Sequence, residues 1–165
     1  MDKIYYQRKI DDCTSKVLAH QKAIEGMDEQ ILINNEKIDK LVEKHDNYIK
    51  SKDAVNRVGS DIIDLERKRK RNLSKLNNVK GVKFIEKYYK SVDNVHKGNH
   101  KVKAYNSLDK TLYIIQKKIN NIKDEIDKLE GQNSDYSTKI RRYKREISDN
   151  KGEIERYKTK LRESI

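Results

Sequence analysis

The chain has no proline and no tryptophan, and its 165 residues include one phenylalanine, one cysteine and six glycines. Each shortage closes off a class of structure. Without proline, no residue removes a backbone donor or kinks a helix. Cys13 alone cannot form an internal disulfide, and its place in an apolar repeat makes it a small core hydrophobe and not a redox centre. No stretch approaches the eighteen or so apolar residues of a membrane span. The first residues, Met-Asp-Lys-Ile-Tyr-Tyr-Gln-Arg, lack the apolar core of a Sec signal peptide, so the expected product is a soluble cytosolic chain. Hydrophobic residues make up 34% of the chain and charged residues 40%, which does not suit an ordinary globular core.

What is present is a long seven-residue repeat. Apolar residues recur with alternating spacings of 3 and 4 from Tyr105 through Leu108, Leu112, Ile115, Ile119, Ile122, Ile126 and Leu129. The repeat continues as Asn133, Tyr136, Ile140, Tyr143, Ile147, Asn150, Ile154, Tyr157 and Leu161. About eight heptads in phase is well beyond the three or four that argue for a coiled coil. The same pattern opens the chain: Tyr6, Ile10, Cys13, Val17, His20, Ile24, Met27, Ile31, Asn34, Ile38, Leu41, His45 and Tyr48, with a weaker tail at Val55 and Ile62. A disordered polar chain would not hold this phase for more than about fifty residues, although its composition is otherwise compatible with disorder.

The spacing predicts one helix from about Tyr5 to Leu76 and another from about Tyr105 to Glu163. Asn77-Asn78-Val79-Lys80-Gly81 between them is the strongest break, because Asn and Gly tolerate the left-handed backbone that ends helices. A short apolar segment follows (Phe84, Ile85, Tyr88, Val92, Val95), then a softer break at residues 97–101. The repeat is off by one position there, so a stammer or a short loop must absorb the slip. The expected fold is therefore all-α, a single elongated helical hairpin over residues 1–165 that reverses at residues 77–81. A long parallel dimer would leave the Asn-Gly break unexplained. Asn34 and Asn133 interrupt the two stripes, as do Asn150, His20 and His45. Asn at such positions lowers stability but specifies register. Asn34 and Asn133 meet only if the slip near residue 100 is a true insertion, since a reversal at residue 79 alone sets Asn34 near Ile126.

Little in the chain looks catalytic. His96 and His100 are spaced for one helical face, but no further ligand completes a metal set, and there is no P-loop, dinucleotide fingerprint or nucleophile elbow. Neither an enzyme nor a cofactor is expected. The formal net charge of +12 favours anionic partners. Its most concentrated sources are the run Arg67–Arg71 and the cluster around Arg141 and Arg142, with Arg67, Arg69, Arg141 and Arg142 as a candidate basic patch. The bland reading of such runs is the solvated face of a coiled coil, because acids such as Glu66 and Glu146 accompany them. Of the ten tyrosines, Tyr48, Tyr105, Tyr136, Tyr143 and Tyr157 are in phase with the stripes and read as core, their hydroxyls reaching water at the margin.

Two long helices around a short Gly-containing turn resemble the WXG-type hairpins of type VII secretion, and more closely the small helical proteins encoded beside LXG polymorphic toxins in Gram-positive bacteria. Val79-Lys80-Gly81 corresponds to the family's W-x-G, with Val79 in place of Trp, and Phe84 and Tyr88 follow as the aromatic helix start. A Y-x-x-x-D export-type pattern is present at Tyr89 to Asp93. The resemblance implies a non-enzymatic partner that binds a helical toxin domain, serving as targeting factor or chaperone, with turn and partner-binding residues Val79, Gly81, Phe84, Tyr88, Tyr89 and Asp93. It also implies that the protein either stays in the cytosol or leaves without a Sec leader. Two alternatives remain open at this point: a self-associating structural or adaptor coiled coil, and a basic coiled coil that binds nucleic acid.

Overall fold

The computed structural model describes residues 2–77, 87, 90–91 and 98–163, and among them there is no strand. Two long helices make up the fold, α1 over Asp2–Asn77 and α2 over Asn99–Glu163. Lys87, Lys90 and Ser91 are helical too. The helices pack against each other antiparallel, as the cross-pairs Asn34–Asn133 and Glu66–Lys101 require. The chain is an all-α helical hairpin, and no helix among the described residues is long and apolar enough to cross a membrane.

The α1 limits fall within a few residues of those expected. Helix α2 starts earlier than expected, at Asn99 and not near Tyr105. Tyr105 is the first apolar residue in phase, but Lys101 to Ala104 are helix-compatible and extend the element backwards. Its first turn closes where the Lys101 N–H donates to the Gly98 carbonyl at 3.2 Å, with Gly98 at a bend. Lys160 and Arg162 in the last turn of α2 complement the negative end of the helix dipole.

The contacts divide the chain into two compact units: a terminal unit, Met1–Leu41 with Asp124–Ile165, and a central unit, Val42–Lys123. In the terminal unit, every residue of the two apolar stripes is buried or half-buried, with Cys13, Val17, Asn34, Leu41 and Ile140 buried. Tyr6 and Tyr157 meet with ring centroids 6.3 Å apart. In the central unit Ile115, Ile119 and Ile122 are buried, Ile119 most deeply at 2% exposure. There the α1 stripe does not fade after Tyr48. Lys52, Val55, Gly59, Ile62 and Glu66 are all half-buried at spacings of 3 and 4, so the seam continues through residues whose polarity hides it.

Seam layers pair one stripe with the other. The pairs Asn34–Asn133 in the terminal unit and Glu66–Lys101 in the central unit are each centred between residues 83 and 84. Asn77, the first residue of the expected reversal, ends α1, and residues 78–81 lie outside the described residues. The register sets Asn34 against Asn133 and not against Ile126.

Candidate functional site

In heptad letters, α1 places Ile10, Val17, Ile24, Ile31, Ile38, His45, Lys52, Gly59 and Glu66 at a, and Tyr6 through Ile62 of the other row at d. On α2, Leu112 and Ile119 are a residues and Ile115 and Ile122 d residues. Antiparallel helices bring like flanks together, and the hydrogen bonds follow that rule. On one flank d residues of α1 reach g residues of α2: Cys13 Sγ donates to Glu153 Oε2 at 3.5 Å, and His20 Nε2 lies 3.0 Å from Glu146 Oε2. On the opposite flank a meets e: Lys52 Nζ donates to Gln116 Oε1 at 2.7 Å, and Asn133 Nδ2 donates to Asn35 Oδ1 at 2.8 Å.

Within the terminal unit these contacts close the seam. Asn34 is 4% exposed, and its Nδ2 donates to Asn133 Oδ1 at 2.9 Å. With Asn35 accepting from Asn133, three amides form a bonded layer that a shift by one residue would break. His20 stacks on Tyr143 with centroids 4.6 Å apart, so its ring packs while its nitrogen reaches Glu146. Burial raises the pKa of the Cys13 thiol, and the hydrogen bond to Glu153 raises it further. A thiol held protonated is a poor nucleophile and metal ligand.

The central unit is built differently. Its a column on α1 is His45, Lys52, Gly59 and Glu66. Lys101 Nζ sits 2.8 Å from Glu66 Oε1, and this bond holds the Lys101 pKa above its ordinary value. The Nε2 atom of His45 is buried with no hydrogen-bond partner, while its Nδ1 lies 3.4 Å from Asp46 Oδ1. The apolar surface missing from the a column reappears beside it. The e column of α1 is Gln7, Thr14, Gln21, Asp28 and Asn35 in the terminal unit, then Val42, Ile49 and Ile63 in the central unit, interrupted by Asn56. The g column changes likewise, from Lys9, Lys16, Ala23, Gln30 and Lys37 to Val58 and Leu65 after Lys44 and Ser51. Val42, Ile49, Val58, Ile63 and Leu65 are all exposed, as are Val102, Tyr113 and Ile114 on α2. This switch is present in the sequence, where e and g residues read one heptad at a time would have revealed it; the a and d stripe alone does not.

Charge divides along the same line. Residues 42–123 hold 21 Lys and Arg against 9 Asp and Glu, while the terminal unit holds 18 of each. The whole net charge of +12 therefore belongs to the central unit.

The residues singled out from sequence fall as follows. Asn34 and Asn133 are brought together. Arg67 and Arg69 lie in the central unit and are exposed, with Arg67 Nη1 3.3 Å from Asp64. Arg141 and Arg142 lie in the terminal unit, where charge balances. Arg141 Nε donates to the Ser137 carbonyl, and Arg142 sits over the Tyr143 ring and 3.6 Å from Glu146. The four arginines thus belong to two electrostatically different units. Val79, Gly81, Phe84, Tyr88, Tyr89 and Asp93 lie outside the described residues, as does His96. No group of three His, Cys, Asp or Glu positioned for a metal occurs among the described residues.

Two concavities lie among the described residues. One, about 960 Å³, is bordered by Lys68, Lys70, Arg71 and Lys75 with Asn72 and Ser74; the other, about 510 Å³, lies beside Ile10, Val17, Leu18 and Ile154. The second is also lined by Glu155 and Lys158, whose ion pair is 2.8 Å long. Compared with known proteins, the chain matches no family model, and no curated protein or solved structure is similar to it.

Proposed function

We propose that this protein is a non-enzymatic helical partner, of the kind encoded beside LXG toxins, that packs against a helical domain of a larger protein and holds it competent for type VII export. The observation that supports this reading most is the widened apolar surface of the central unit. A two-stranded coiled coil needs only its a and d stripe, whereas apolar e or g columns are the pattern of helices that face a bundle of three or more. In the terminal unit the e and g columns of α1 are polar apart from Ala23, and the exposed Ile4, Tyr5, Leu18 and Leu32 lie off them; in the central unit those columns turn apolar. A hairpin with such flanks gains by adding helices.

The test is co-expression with a long helical protein encoded next to this one. The expected result is a one-to-one or higher complex that survives about 0.5 M salt, because apolar helix contacts persist where phosphate contacts are lost through counterion release. If no neighbouring helical protein copurifies, and the chain alone remains unchanged in mass, the reading fails.

A further inference from the structure

Resting on the partner reading, the structure also points to which face is used and to the chemistry of what covers it. We infer that the d/g flank of the central unit docks an acidic amphipathic helix. Val58 and Leu65 on α1, at g positions one heptad apart, extend the apolar d residues Val55 and Ile62 outward. On α2 the flank continues through Ala104 and Thr111 to Ile114, with the Thr111 hydroxyl already donating to the Ser107 carbonyl at 2.8 Å. Leu65 is 64% exposed, and Val58 and Ile114 are each 49% exposed. In the terminal unit the g column of α2 supplies Glu146 and Glu153, which reach back to His20 and Cys13 and close the flank. Ala104 and Thr111 carry no side chain long enough to do so, so the central flank stays open along them, and the next g residue, Lys118, is exposed.

Charge selects the occupant. Ile114 is surrounded on its own helix by Lys110, Lys117 and Lys118, all exposed, and Lys68 follows Leu65 on α1. Of the two acids between Val58 and Leu65, Asp61 and Asp64, the second lies 3.3 Å from Arg67 Nη1. The opposite flank differs: Val42, Ile49 and Ile63 lie beside Asp46 and Asp53, which removes the charge preference there. A second copy docking through this face would bring together two units of the same excess positive charge, so self-pairing is disfavoured. A nucleic acid would satisfy the lysines but leave the three apolar side chains unused. A helix with apolar residues on one stripe and Glu on its borders satisfies both.

The experiment uses the full chain and three probes: a synthetic amphipathic helix with Leu on its stripe and Glu elsewhere, the same helix with Lys for Glu, and a short DNA duplex. Fluorescence anisotropy at physiological salt should show binding of the Glu helix and none of the Lys helix. Leu65→Asp with Ile114→Asp should weaken binding at least tenfold, while Leu18→Asp with Leu32→Asp, at exposed sites of the terminal unit, leaves it unchanged. Lys110→Glu with Lys118→Glu leaves the apolar patch whole and keeps the test valid should the first pair fail to fold; it should weaken the Glu helix and admit the Lys helix. Equal binding of both helices, displacement of the Glu helix by DNA, or a dimer in sedimentation that Leu65→Asp dissolves would each overturn the proposal. If the complex with the neighbouring protein forms but is indifferent to Leu65→Asp with Ile114→Asp, this face is wrong and the partner reading stands. If the Glu helix binds as described but no neighbour does, the docking face stands and the export reading falls.

Discussion

The terminal and central units are made from the same two helices, yet they answer the same packing problem in opposite ways. The terminal unit keeps an apolar a and d seam, polar flanks, an amide layer and equal numbers of acids and bases. The central unit puts His45, Lys52, Gly59 and Glu66 into its α1 seam and moves apolar surface to e and g, and it carries the whole cationic excess. A narrow seam with bonded flanks leaves little to gain from another helix. A seam of polar and absent side chains between exposed apolar columns leaves much to gain. The comparison teaches that one hairpin can hold its pairing in two ways: by an amide layer over an apolar seam in the terminal unit, and by the polar pairs Lys52–Gln116 and Glu66–Lys101 in the central unit, where apolar residues are displaced to exposed columns.

The contrast can be pressed from its largest expected effect downward. Both seams should be intolerant of charge: Ile119→Asp in the central unit and Ile140→Asp in the terminal unit should each cost about 3–5 kcal/mol, because a buried charge is left unpaired. Lys117→Asp, on the exposed face, should change the thermal midpoint little. Comparable losses at all three positions in a melt followed by circular dichroism would mean that the seam phase is wrong.

The amide layer comes next. Asn34→Ala should destabilise by roughly 1–2 kcal/mol, since a buried hydrogen bond is lost while Asn133 keeps Asn35 as partner. Asn34→Leu with Asn133→Leu should instead raise stability but broaden the pairing, which disulfide trapping between engineered cysteines would reveal as more than one register.

Replacing a seam residue of the central unit should have the opposite sign. His45→Leu should stabilise by roughly 1 kcal/mol, because it removes a buried nitrogen without a partner and adds apolar surface. A loss in chemical denaturation would show that His45 is bonded in solution.

Gly59→Ala should add about 0.5–1 kcal/mol, since a Cβ there meets nothing within 4 Å and Ala is the better helix former. The smallest effect is electrostatic. Raising salt from about 0.05 to 0.5 M should slow amide hydrogen exchange in the central unit, where repulsion among cations is screened, and leave the terminal unit nearly unaltered. Equal responses would remove charge from the comparison.

Much of this architecture was legible in the chain. The 3 and 4 spacing of apolar residues identifies both helices and every residue of the terminal seam, because one helical face must be buried and its period is set by backbone geometry alone. The absence of proline and the Asn-Gly break point to two long helices with a reversal between them. Periodicity could not identify Lys52, Gly59 and Glu66 as seam, since it counts apolar residues and these belong by position only. They are held in place by what faces them on α2: Gln116 for Lys52 and Lys101 for Glu66. Nor could one stripe reveal its partner's register. A hairpin may close at any layer that buries both stripes, and only the folded pair shows that Asn34 meets Asn133, that Glu146 and Glu153 close one flank, and that Ala104 and Thr111 leave its continuation open. Local periodicity determines which face is buried; which residue stands opposite depends on the length of chain between the helices, and that is a tertiary matter.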